Sequence, residues 1–220
     1  MTPSDVAQLV DEEGGRFATE LGLDLDHRPQ DTERWFLAAT LFGNPIRTST
    51  ATNTWRVLDG AGVHTIADAG ARSWDELVAL LDAGGYARYD FRTATRLHDL
   101  AAYVSEHHGG RIGTLAIETG PQRLEALLDE LPGWGPATVR IFLRELSGIW
   151  PGAQPPLDER AVDAARWMHL PLGRAGRARW DRLATHADSA GRDPRDVEAA
   201  LVRRSLRTRA GPKRPQRSSR

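Results

Sequence analysis

The chain has 220 residues, enough to bury a sizeable core as one domain or as two packed lobes, and no cysteine, which excludes disulfides, thiolate nucleophiles, cysteine-ligated zinc and iron–sulfur clusters. No apolar run approaches the roughly 20 residues that span a bilayer, and Met1-Thr2-Pro3-Ser4-Asp5 lacks the basic and apolar regions of a signal peptide, so a cytoplasmic protein without membrane attachment is expected. The formal charge of −1 is uneven, −8 over residues 1–110, +1 over 111–206 and +6 over 207–220, so the body is no general polyanion binder and any phosphate contact must come from local geometry or local arginines.

Apolar residues recur at three-to-four spacing and no sustained alternation suggests a strand, so the chain reads as all-α. Helices are predicted over about 4–20, 31–43, 47–59, 73–83, 90–107, 121–131, 137–147, 158–168, 175–188 and 194–206. Several carry their own start signals. Ser73 with Glu76 forms a capping box, Asp90 can cap the helix after it, and Asp193-Pro194 sets up the last one. Stops are expected at Gly84-Gly85 and Gly109-Gly110. The segment 207–220 is basic and nearly devoid of apolar residues, and is expected to be disordered.

The helices over 121–131 and 137–147 each gather leucines or other apolar residues on one face, Leu124, Leu127, Leu128 and Leu131 against Val139, Phe142, Leu143 and Leu146, so they can pack as a hairpin. Between them, Gly133 and Gly135 let backbone N–H groups converge at a helix start, where the dipole and the unpaired donors favour an anion. Pro136 suits the first helical turn but removes one donor. Arg140 and Arg144, one turn apart, can add positive charge; Trp134 at the tip either wedges against DNA or covers the hairpin core. Beyond the hairpin, the Gly/Pro-rich run from Gly148 to Leu157 leads to Asp158, which reads both as a helix N-cap and as a placed carboxylate, two compatible roles.

The run LPGWGPATVRIFLRE, the loop SGIWPGAQPPL and Asp158 together resemble the helix-hairpin-helix, Gly/Pro loop and aspartate signature of the endonuclease III superfamily of DNA glycosylases, with greatest similarity to its actinobacterial members described as endonucleases. Leu37 to Trp55 and GGYARYDFRTATRL extend the likeness upstream, to about residues 31–170. It implies a two-lobed helix-hairpin-helix glycosylase fold: an N-terminal helix (1–30) joining a C-terminal lobe (150–206), a six-helix barrel lobe (31–149) and a cleft between them.

The activity implied is excision of a damaged or mismatched base from double-stranded DNA by a monomer, with no cofactor and no metal. The hairpin residues Gly133, Trp134, Gly135, Ala137, Thr138 and Arg140 would meet the backbone, Asn44 would fill the gap left by a flipped nucleotide, and Tyr86, Tyr89 and Asp90 would line the base pocket. Asn44 before Pro45 also reads as a plain helix end, and the tyrosines as packing residues. Asp158 would be the catalytic carboxylate. Members with lyase activity carry a lysine two residues after the second hairpin glycine; Ala137 stands there, and the only lysine is Lys213, so no body lysine can form a Schiff base. A non-catalytic DNA-binding protein of the same fold, or an acidic protein-interaction domain, are the alternatives.

Overall fold

Side-chain chemistry writes several helix starts directly. Thr2, Thr65 and Ser73 each close a capping box with the acid three residues on, Asp5, Asp68 and Glu76. A computed structural model describes residues 1–174 and 176–209. Among these the structure is all-helical and has no β-strand. The helices are α1 (Pro3–Glu13), α2 (Phe17–Glu20), α3 (Asp31–Phe42), α4 (Thr48–Gly60), α5 (Ile66–Ala71), α6 (Trp74–Ala83), α7 (Asp90–His108), α8 (Pro121–Asp129), α9 (Pro136–Leu146), α10 (Glu159–Trp167), α11 (Arg177–Ser189) and α12 (Pro194–Arg209), with a 3₁₀ helix at Ile112–Ile117. None of them is long and apolar enough to cross a membrane.

Several helix expectations need correction, among them the cap of α7, where Tyr89 and not Asp90 holds the N-cap position. The helix expected over 4–20 is two, because Gly14, at φ +84°, ends α1 and the chain restarts at Phe17. α5 and the 3₁₀ helix, six residues each, are too short to show a repeating apolar stripe, and the periodicity missed both. α12 continues through Arg209, into the stretch expected to be disordered; the rest of that stretch, 210–220, lies outside the described residues.

The chain divides into two compact units, one formed by Leu21–Pro155 and the other by Met1–Glu20 with the chain from Pro156 onward. The boundaries differ from the expected 30 and 150: buried Leu21, Leu23 and Leu25 go with the first unit, and Trp150, edge-on to Phe142 at 5.6 Å, keeps the Gly/Pro loop there too.

The Leu21–Pro155 unit is built around α3. Trp35 to Leu41 are buried without interruption, and α3 packs against α4, α5, α9 and the 3₁₀ helix, as an all-round apolar helix must. In the other unit α12 is the hub, packing on α1, α10 and α11 over Leu9, Ala161, Leu183, Val197 and Leu201. Charge reinforces that packing. Arg204 pairs with Glu12 and Glu13, Arg192 with Asp11, and Arg203 with Glu20 while lying over the Phe17 ring, so much of the C-terminal arginine is spent on the unit's own carboxylates.

Candidate nucleic-acid interface

α8 and α9 turn inward Leu124 and Leu128 on one side and Val139, Phe142, Leu143 and Leu146 on the other. Trp134, between them, is the residue that fixes the tip. It is only 6% exposed, stacks on Phe36 at 4.6 Å, meets Phe142 edge-on at 5.3 Å, and donates from Nε1 to Thr40 Oγ1 at 3.1 Å. An indole whose faces are packed and whose N–H is satisfied is a core residue, and the DNA contact expected of Trp134 is withdrawn.

With the indole inside, glycine remains outside. Gly133 is exposed at φ +78°, a left-handed conformation that side chains rarely adopt, and a Cβ there would also press on Arg96 Cδ at 3.1 Å. Gly135 is different. It occupies the N-cap of α9 in extended backbone (φ −141°, ψ 179°), its own side provides no capping side chain, and an added Cβ would meet nothing within 4 Å. Neither backbone nor packing demands glycine at 135. What its missing side chain leaves is an open approach to the first turn of α9, where Pro136 takes the donor-free first position and the N–H groups of Ala137 and Thr138 have no helical acceptor.

Thr138 also needs revision. Its side chain is buried against Gly43, where a Cβ would stand 2.0 Å from Thr138 Oγ1, so only its backbone N–H can serve a ligand. This contact locks the end of α3 onto the start of α9. Gly43 escaped the sequence reading; its signal was a glycine directly after the apolar run of α3, at the helix C-cap.

Asn44 follows, and is held on every side. Nδ2 donates to Thr40 O at 3.2 Å and to Tyr86 Oη at 3.3 Å, and Oδ1 accepts from Arg96 Nη1 at 3.3 Å. Tyr86, 1% exposed, donates its hydroxyl to Leu41 O. Burial pushes that phenol above its ordinary range against the opposing pull of Asn44 and Arg96, so it stays neutral. Tyr86 is therefore a buried strut and not the wall of an open base pocket. Tyr89 and Asp90 stay at the start of α7: Tyr89 is the half-buried N-cap with the Arg88 guanidinium over its ring at 5.6 Å, and Asp90 Oδ1 accepts from the Phe91 N–H at 2.7 Å.

Arg96 joins these pieces, bonded to Asn44 and packed beside Gly133, and the sequence reading missed it. The signal available was Arg92 and Arg96 one turn apart on α7. Arg88, Arg92, Arg96 and Arg140 have no carboxylate within 4.0 Å among the described residues, whereas Arg144 is buried against Glu145 at 3.2 Å and adds no outward charge. Asn44, Arg96, Gly133 and the α9 start thus form one continuous neighbourhood, with arginines unneutralised around it.

Asp158 belongs to the other unit. Its Oδ1 accepts from the Arg160 N–H at 2.8 Å, capping α10, and its own N–H donates to Glu198 Oε1 at 2.9 Å. Oδ2 has no hydrogen bond among the described residues. Glu198, 2% exposed on α12, thus fixes the backbone of Asp158 from beneath. No sequence spacing linked the two, which lie 40 positions apart. Among the described residues no cluster of three or more His, Asp or Glu side chains could hold a metal ion. Compared with known proteins, the chain matches no family model and no curated protein.

Proposed function

We propose that the chain is a monofunctional DNA glycosylase of the helix-hairpin-helix type, as the resemblance of its hairpin, Gly/Pro loop and aspartate implies. The observation that carries the DNA contact is Gly135, a glycine that the chain's own geometry does not require, at an uncapped helix start beside unneutralised arginines. A phosphate oxygen accepts from the Ala137 and Thr138 N–H groups, and Arg96 adds charge next to the turn.

On this reading a nucleotide is extruded from the duplex and its glycosidic bond lengthens, leaving positive charge on the sugar. The Asp158 carboxylate, with Oδ2 unengaged among the described residues, stabilises that charge and takes a proton from the water that adds at C1′, while the base departs with the electron pair of the glycosidic bond and takes a proton from solvent, to which Asp158 returns its own. The product is an abasic site. With Ala137 at the lysine position, strand breaks follow only from alkali or heat.

One observation favours a catalytically silent DNA binder instead: Asp158 already has a structural task as the cap of α10. Asp158→Asn separates the two, since asparagine caps about as well as aspartate but carries no charge. Screened on a panel of lesion-containing duplexes, the parent should excise at least one base and the variant none, with duplex binding and melting unchanged. Equal excision by both would reduce Asp158 to a cap, and an efficient borohydride-trapped adduct would overturn the monofunctional assignment.

A further inference from the structure

Large aromatic side chains in the Leu21–Pro155 unit are mostly buried, but Trp74 and Phe91 are 38% and 61% exposed. They are not loose. Their rings stack on each other, centroids 5.4 Å apart and 20° from parallel. The indole Nε1 donates to Thr95 Oγ1 at 3.1 Å, and that hydroxyl donates to Phe91 O at 3.1 Å, so the start of α6 and the first two turns of α7 hold the pair in a fixed pose. Stacked against Trp74 on one side, the Phe91 ring still belongs to a residue that is 61% exposed.

Exposed apolar rings ordered in this way mark a surface that meets something planar or apolar. The surrounding charge says which. Arg92 directly follows Phe91, Arg96 lies one turn further along α7, and Arg88 precedes them over Tyr89, none with a carboxylate within 4.0 Å among the described residues. Asp90, the acid within this run, has Oδ1 turned onto the Phe91 N–H. A protein partner would need an apolar groove or complementary carboxylates; rings alternating with guanidinium groups that no carboxylate neutralises suit a base on the ring and a phosphate on the arginine.

We infer that the Trp74–Phe91 step, flanked by Arg88 and Arg92, binds an unpaired nucleotide, giving the chain an affinity for single-stranded nucleic acid separate from the hairpin's contact with duplex. This goes beyond the glycosylase reading and does not depend on Asp158. The test uses the full chain and fluorescence anisotropy of a labelled oligothymidylate and of a blunt duplex of equal length. Phe91→Ala and Trp74→Ala should each weaken single-strand binding by about tenfold, Phe91→Tyr should retain it, and Arg92→Gln should flatten its salt dependence. Blunt-duplex binding and melting should be unaffected by Phe91→Ala. Parental single-strand affinity in Phe91→Ala, or an equal loss on the blunt duplex, overturns the inference, as does a change in self-association instead of in nucleotide binding. Loss of single-strand binding in Phe91→Ala beside unchanged duplex binding in Gly135→Val would sink the hairpin reading and leave this one standing.

Discussion

The two hairpin glycines are not equivalent, and the difference decides how the phosphate contact should be tested. At Gly133 a β-branched residue would strain a positive φ and crowd Arg96, so lost binding there would not separate fold from function. At Gly135 the backbone is extended and the space beside it empty, a setting valine adopts readily. Gly135→Val should lower stability by no more than the loss of a good N-cap residue, about 1 kcal/mol in unfolding, leave the variant folded, and weaken duplex binding on the order of 1–3 kcal/mol, read by titration at fixed salt; unchanged affinity in the folded variant would remove the hairpin from the interface. Trp134 makes the opposite case. Trp134→Ala removes a packed indole and should cost about 3–5 kcal/mol in denaturant unfolding. A melt like the parent's would contradict its burial. The sequence left Trp134 open between a DNA wedge and a cover for the hairpin core, because the ring it stacks on, Phe36, lies far away in the chain.

Helices with a long apolar stripe or a strong cap were legible from sequence, and the short ones were not. α3, α7, α9 and α12 announced themselves through periodicity; α5 is specified by one capping box, Thr65 with Asp68, and six residues give no repeat to read. The start of α12 carries its own electrostatics. Asp193 Oδ1 accepts from the Arg195 N–H at 2.8 Å, and its carboxylate lies against the Arg195 guanidinium. Burial would raise the Asp193 pKa, but these hydrogen bonds, with Arg195 and Arg16 charge, outweigh it and hold the carboxyl below its ordinary value. A depressed carboxyl contributes stability that is present above its unfolded pKa, about 3.9, and is lost as the pH falls through the lowered native value. Asp193→Asn, which keeps the cap and removes the charge, should therefore melt below the parent at neutral pH, with the gap closing below about pH 4. A gap that persists in strong acid would show that shape, not charge, sets the cost.

Across the molecule, the hairpin and Asp158 were visible because glycine spacing and a carboxylate after a Gly/Pro loop are local patterns. Arg96, Gly43 and Glu198 were not, because each acts through a contact between helices far apart in sequence: Arg96 with Asn44, Gly43 with Thr138, Glu198 with Asp158. The division into units has a consequence for how the molecule comes into being. Leu21–Pro155 is one uninterrupted stretch, whereas α1 rests on α11 and α12, from the opposite end of the chain. On a ribosome, the stretch can close around α3 as soon as it has emerged, while α1, made before it, has no apolar partner until α11 and α12 have been synthesised. Its core face, Val6, Leu9 and Val10, waits in water for that interval. Pulse-labelled hydrogen exchange during refolding should accordingly find the amides of α3 and α9 protected before those of α1 and α12, and simultaneous protection would mean that the two units fold as one.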